Sequence, residues 1–243
     1  RSKHFYIDAA EKGKCIAVSF DGIYMNADIW VNDRHVANHV YGYTAFELDI
    51  TDYVRFGAEN LIAVRVKNEG MNCRWYTGSG IYRHTFLKIT NPLHFETWGT
   101  FVTTPVATAD KAEVHVQSVL ANTEKVTGKV ILETRIVDKN NHTVARKEQL
   151  VTLDNKEKTE VGHALEVLAP QLWSIDNPYL YQVVNRLLQD DKVIDEEYIS
   201  IGIRNIAFSA ENGFQLNGKS MKLKGGCIHH DNGLLGAKAF DRA

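Results

Sequence analysis

Near the end of the 243-residue chain stand three side chains that could do chemistry together, His229, His230 and Asp231. Along an extended strand, side chains at i and i+2 point one way and i+1 points the other. His229 and Asp231 are therefore expected to face one pocket, with His230 turned away. An ionised Asp only accepts hydrogen bonds, and it can take several at once. Two adjacent His on a strand diverge, which makes the trio a poor metal site. Neither a metal nor a cofactor is expected.

Two other stretches bunch aromatic and polar residues. One is Arg74-Trp75-Tyr76-Thr77-Gly78-Ser79-Gly80-Ile81-Tyr82-Arg83, a glycine-rich loop between aromatic clusters. The other is Leu172-Trp173-Ser174-Ile175-Asp176-Asn177-Pro178-Tyr179-Leu180-Tyr181. Cys15, Cys73 and Cys227 are odd in number and widely separated. Disulfide frameworks and zinc sites want short, repeated spacings, so the three are expected to be buried thiols.

The elements that must position these groups alternate with period two. Ile62, Val64 and Val66 share one face, opposite Arg65 and Lys67. Val114, Val116 and Leu120 line a second run, and Val130, Leu132 and Ile136 a third, opposite Glu133 and Arg135. Such alternation marks half-buried antiparallel strands. Asn32-Asp33, Asn140-Asn141, Asp190-Asp191 and Asn217-Gly218 punctuate the runs with residues that tolerate the positive φ of tight hairpins. No apolar stripe of helical spacing is long enough for a substantial helix, so the fold class is all-β, built of sandwiches.

A seam falls near Thr90-Asn91-Pro92, since proline cannot donate to a sheet ladder. Ahead of it the strands are rich in aromatics: Phe20, Tyr24, Trp30, Tyr41, Tyr43 and Phe46. Behind it, a Val-rich series of about seven strands ends around Ile206-Ala207-Phe208 and suits an immunoglobulin-like sandwich. The last stretch opens with a hairpin, Phe214-Gln215-Leu216-Asn217-Gly218-Lys219, and is too short to bury a core of its own.

Hydrophobic residues make up 44% of the chain, enough for a real core, and the net charge is −2. Lys and Arg are scattered rather than gathered in a stripe, so no nucleic-acid partner is expected. No apolar run approaches the ~20 residues that span a bilayer, and no membrane partner is expected either. The opening Arg1-Ser2-Lys3-His4 has no signal-peptide pattern, and the compartment stays open.

Taken in order, the glycine-rich loop, the Trp173 stretch, the hairpin and Leu223-Lys224-Gly225-Gly226-Cys227-Ile228-His229-His230-Asp231 resemble family 2 glycoside hydrolases. That group holds β-galactosidases, β-glucuronidases and β-mannosidases. Ile29-Trp30-Val31-Asn32 and Phe46-Glu47-Leu48-Asp49-Ile50-Thr51-Asp52 extend the likeness over essentially the whole chain. The resemblance implies a sugar-binding jelly roll over residues 1–91, partial at its front because Arg1-Ser2-Lys3-His4-Phe5 is similar to a stretch preceded by further strands. It implies an immunoglobulin-like sandwich over 92–208 and the first strand of a truncated (β/α)8 barrel over 209–243.

By the same resemblance the substrate is a carbohydrate, a β-galactoside by the flavour of residues 226–231, and the whole enzyme releases terminal β-galactose. A homo-oligomer is possible. His229 and Asp231 would contact the sugar where the bond breaks, unless the trio braces the barrel mouth instead. A retaining glycosidase needs two carboxyls about 5–5.5 Å apart. The resemblance places both downstream, so no catalytic residue is expected in this chain. The family's Asn-Glu dipeptide occurs at Asn68-Glu69, but at the end of a sandwich strand, and is read as chance. Residues 72–75 stand in a loop that in this family reaches the active site, where Trp75 and Tyr76 would offer aromatic faces to sugar C–H groups. Against that, buried Trp is usually core, and Cys73 is a poor polar ligand. The rival reading is a non-catalytic carbohydrate-binding or adhesive β-sandwich protein. It explains the strands and turns but not the barrel-type hairpin.

Overall fold

The computed structural model describes residues 1–70, 78–229 and 232–241. As expected, the chain is all-β. Among the described residues, helix is confined to single 3-10 turns at Ala9–Glu11, Thr51–Tyr53 and Gly233–Leu235. No helix among them is long and apolar enough to cross a membrane. Two compact units form, one from Arg1–Asn91 with the described residues from Gly226 on, the other from Pro92–Gly225.

The first unit contains β1 (Ser2–Ile7), β2 (Cys15–Phe20), β3 (Ile23–Tyr24), β4 (Ala27–Val31) and β5 (Arg34–His39). It continues with β6 (Phe46–Asp49), β7 (Ala58–Val66), β8 (Gly80–Ile81) and β9 (Thr85–Thr90). One sheet runs β1-β7-β4-β5, a second β6-β2-β9, and β3 pairs with β8. All of these pairs are antiparallel. The period-two pattern decides what each strand buries. Ala27, Ile29 and Val31 of β4 enter the core with Ile16, Val18 and Phe20 of β2 and Val64 of β7. Each fully buried aliphatic side chain contributes about 1.5–3 kcal/mol relative to exposure.

The second unit contains β10 (Leu93–Phe95), β11 (Phe101–Ala107), β12 (Lys111–Asn122), β13 (Thr127–Val137) and β14 (Thr143–Asp154). β15 (Lys158–Leu168), β16 (Tyr181–Gln189), β17 (Lys192–Ile201), β18 (Ile206–Ser209), β19 (Gly213–Leu216) and β20 (Lys219–Ser220) complete it. β12 pairs with β10, β11 and β15 in one sheet, and β14-β13-β16-β17 forms the other. Pro105 sits in β11, which among the described residues pairs only with β12 and whose register shifts between Thr103 and Val106. That is where a residue without an N–H is tolerated.

A polar layer divides this unit's core. Val114, Val116, Ile136 and Val183 belong to one apolar cluster, and Leu120, Leu132 and Leu187 to another. Between them, on the same inward parity, lie Ser118 of β12, Thr134 of β13 and Asn185 of β16, all buried. Thr134 donates its hydroxyl to Asn185 Oδ1 at 2.6 Å. Asn185 Nδ2 donates to Glu197 Oε1 at 2.8 Å and to Ser118 Oγ at 3.3 Å. Register puts Thr134 opposite Asn185, and Asn185 opposite Glu197, so one cross-strand row supplies most of the layer.

Two expectations need correction. The thiols are not all buried: Cys227 is exposed and Cys15 half-buried, while Cys73 lies outside the described residues. Nor does the stretch after β20 form a strand, since residues 221–229 pair with no ladder and Leu223 and Ile228 are exposed. A parallel barrel strand is held by neighbours on both sides, and the described residues offer it none. The expected hairpin is present as β19 and β20, but β19 also pairs with β18.

Candidate functional site

One end of the first unit collects residues 78–83 of the glycine-rich loop, an aromatic loop and the described segment that follows His229-His230-Asp231. Tyr82 is the hub. It is buried, its amide donates to the Gly22 carbonyl at 3.3 Å, and its hydroxyl donates to the Gly42 carbonyl at 3.0 Å. Burial pushes the phenol's pKa up, which keeps the group a donor. Its own carbonyl accepts the Ala239 amide at 2.9 Å.

The segment 232–241 is pinned along the same strip. Lys238 Nζ donates to the Ile81 carbonyl at 3.4 Å, and His84 Nε2 meets Asp241 Oδ1 at 2.9 Å. Gly78 makes the approach possible: a Cβ there would lie 3.1 Å from Ala237 Cβ. The sequence placed the glycine-rich loop and the His-Asp stretch far apart, yet their flanks meet here.

Residues 40–45 form the loop between β5 and β6. Gly42 is pressed on the buried Tyr24, where an added Cβ would stand 2.4 Å from the ring and 3.1 Å from the Tyr24 backbone. Tyr24 and Tyr43 meet edge to face at 5.2 Å, and Tyr43 and Tyr41 at 5.7 Å. Asn26 donates its amide to the Val40 carbonyl at 3.0 Å, and Asn38 Nδ2 donates to Asn26 Oδ1 at 3.2 Å.

On the opposite face of β4 from the core, Asp28 gathers cations. Its Oδ2 accepts from Arg65 at 2.7 Å and lies 3.7 Å from Lys67 Nζ, while Oδ1 accepts from Asn38 at 2.9 Å. The Arg65 guanidinium first, then the Asn38 amide, hold this carboxyl far below the usual carboxylate range. His35 Nε2 stands 3.4 Å away, and Arg65 also lies over Trp30.

Of the residues singled out by sequence, His229 is exposed and lies outside any strand, ahead of the docked segment. His230 and Asp231 lie outside the described residues, as do 71–77 with Trp75 and Tyr76. The side-by-side orientation of His229 and Asp231 therefore stands as an expectation. Asn68, of the Asn68-Glu69 pair, donates to Ser79 Oγ at 2.9 Å beyond the end of β7. Sequence reading did not pick out Tyr41, Tyr43 and Tyr82 as a cluster. The only signal is the aromatic enrichment, which by itself reads as a property of strands. Among the described residues no group of three or more His, Cys, Asp or Glu is placed to hold a metal ion.

Residues 1–93 match the family model described as glycosyl hydrolases family 2, sugar binding domain, and residues 94–204 the model described as glycosyl hydrolases family 2. A β-galactosidase of Bacteroides ovatus is 36% identical over 242 residues, 99% of this chain and 28% of that protein. A β-glucuronidase of Formosa agariphila is 33% identical over 244 residues, 92% of this chain and 25% of that protein. Among solved structures, a β-glycosidase from Bacteroides vulgatus superposes with a TM-score of 0.89 at 32% identity, over 99% of this chain and 30% of that one. The chain belongs to glycosyl hydrolase family 2. It spans 28% and 25% of the lengths of the two curated relatives.

Proposed function

We propose that this chain is the sugar-recognising, non-catalytic part of a retaining β-glycosidase that releases terminal β-galactose. In this reading 1–91 is a partial jelly roll, 92–208 an immunoglobulin-like sandwich, and 209–243 opens a (β/α)8 barrel. His229 and Asp231 contact the sugar, with Asp231 accepting hydrogen bonds from its hydroxyls. The two catalytic carboxyls, about 5–5.5 Å apart, belong to parts of the enzyme outside these residues. The observation that carries the reading is the match to both family models in sequence order, together with the 36% identity to a β-galactosidase along almost the whole chain.

A β-glucuronidase is the second reading, favoured by the 33% identity to the Formosa protein. The full-length enzyme decides between them, assayed on nitrophenyl β-D-galactoside and nitrophenyl β-D-glucuronide with the released anomer followed by NMR. Faster galactoside turnover with the β-anomer appearing first is expected. Faster glucuronide turnover selects the second reading. No turnover of either substrate, or release of the α-anomer first, sinks the retaining-glycosidase assignment.

A further inference from the structure

We infer that Tyr41 and Tyr43 form a stacking subsite for a pyranose ring of a β-linked saccharide. The inference rests on the glycosidase reading above and adds to it a ligand contact on the β5–β6 loop. Tyr41 is 59% exposed, so its ring is not core filling. Yet the loop that carries it is fixed from three sides. Tyr82 donates its hydroxyl to Gly42, Gly42 packs on Tyr24, and the Asn26 amide holds Val40. The edge-to-face run Tyr24–Tyr43–Tyr41 then carries the aromatic surface from the core out to solvent.

The edge contact with Tyr43 leaves the outer face of the Tyr41 ring in water, where it suits a ligand with an apolar face of its own. A β-linked pyranose is such a ligand: its axial C–H groups form an apolar face and its hydroxyls a polar rim. Tyrosine supplies the matching surface with little side-chain entropy to lose. The half-buried Asn26 and exposed Asn38 flank the loop with amides that both donate and accept. The hub residue Tyr82 also holds Ala239, so the tyrosines stand at the end of the unit where the segment following the His229-His230-Asp231 stretch is docked.

The test is an NMR titration of the 243-residue chain with lactose and, separately, cellobiose, following tyrosine and tryptophan ring resonances. Shifts at Tyr41 and Tyr43 are expected, with none at Trp98, which is 66% exposed in the other unit. Tyr41→Ala is expected to weaken binding about tenfold, and Tyr41→Phe by less than about twofold, because stacking uses the ring face rather than the hydroxyl. The subsite is overturned if neither disaccharide moves the Tyr41 ring, or if the Ala variant, shown folded by an unchanged amide spectrum, binds as tightly as the wild type. Hydrolysis by the full-length enzyme is read separately, so failure of this titration and failure of the glycosidase reading are distinct results.

Discussion

His84 and Asp241 are separated by 157 residues in the chain, and their side chains meet at 2.9 Å. The His84 side chain is 48% and the Asp241 side chain 82% exposed, so the pair itself is worth at most about 1 kcal/mol. Alongside it, the Ala239 amide on Tyr82 and the Gly78–Ala237 approach dock the segment that follows the His-His-Asp stretch.

Local opening of that segment exposes Lys238 to trypsin, and the rate of cleavage there follows the population of the opened form. Asp241→Ala is expected to raise cleavage after Lys238 by up to about fivefold, the factor corresponding to about 1 kcal/mol. Gly78→Val, which forces a side chain against Ala237, should raise it further. Unchanged cleavage in both variants would mean that the docking does not restrain the segment.

Asp28 sets a pH dependence for the first unit. Its carboxyl is depressed in the folded state, so its contribution is fully present above the unfolded Asp value of about 3.9. That contribution is lost as pH falls below this value toward the folded one. Amide exchange at Ile29 and Trp30 should be faster in Asp28→Asn than in the wild type at pH 6, and the gap should close as the pH is taken below about 4. A gap that is constant from pH 6 to pH 3 contradicts the assignment.

The polar layer of the second unit makes a different prediction. Asn185→Leu removes a donor from Glu197 and an acceptor from Thr134 in a buried setting. A cost of about 2–4 kcal/mol in urea unfolding is expected. Adding Thr134→Val should cost less than its single effect, because its partner has already gone. Strict additivity of the two changes would mean that the hydrogen bond between them carries no coupling.

What was legible in the sequence follows from the range of the interactions. Positive φ at Asn32, Asp33, Asn141, Asp190, Asp191, Asn217 and Gly218 matches the turns read from residue type alone, because the steric reason is local. The alternation of β7, β12 and β13 was equally plain, since one face of each is buried. Glu133 does face away from the core as the alternation implies, yet it is buried beneath Arg135, Arg146 and Arg186. Ser118, Thr134 and Asn185 look like interruptions in apolar stripes until strand register aligns them. The Tyr82–Ala239 and His84–Asp241 contacts join residues with no shared pattern. The expected orientation of His229 and Asp231 rested on a strand at 221–231, and residues 221–229 have no ladder to form it.

The central proposal is that this stretch touches the sugar, and substitution of Asp231 in the full-length enzyme tests it most directly. A hydrogen bond to a charged group is worth roughly 1.5–3 kcal/mol, so Asp231→Ala should lower kcat/KM about ten- to a hundredfold. The fall should appear in kcat as well, because the bond tightens as the ring flattens toward an oxocarbenium ion. His230→Ala, which would turn away from the sugar where the barrel of the full-length enzyme extends this stretch, should cost far less. A folded Asp231→Ala enzyme with wild-type kcat/KM would remove Asp231 from the sugar site.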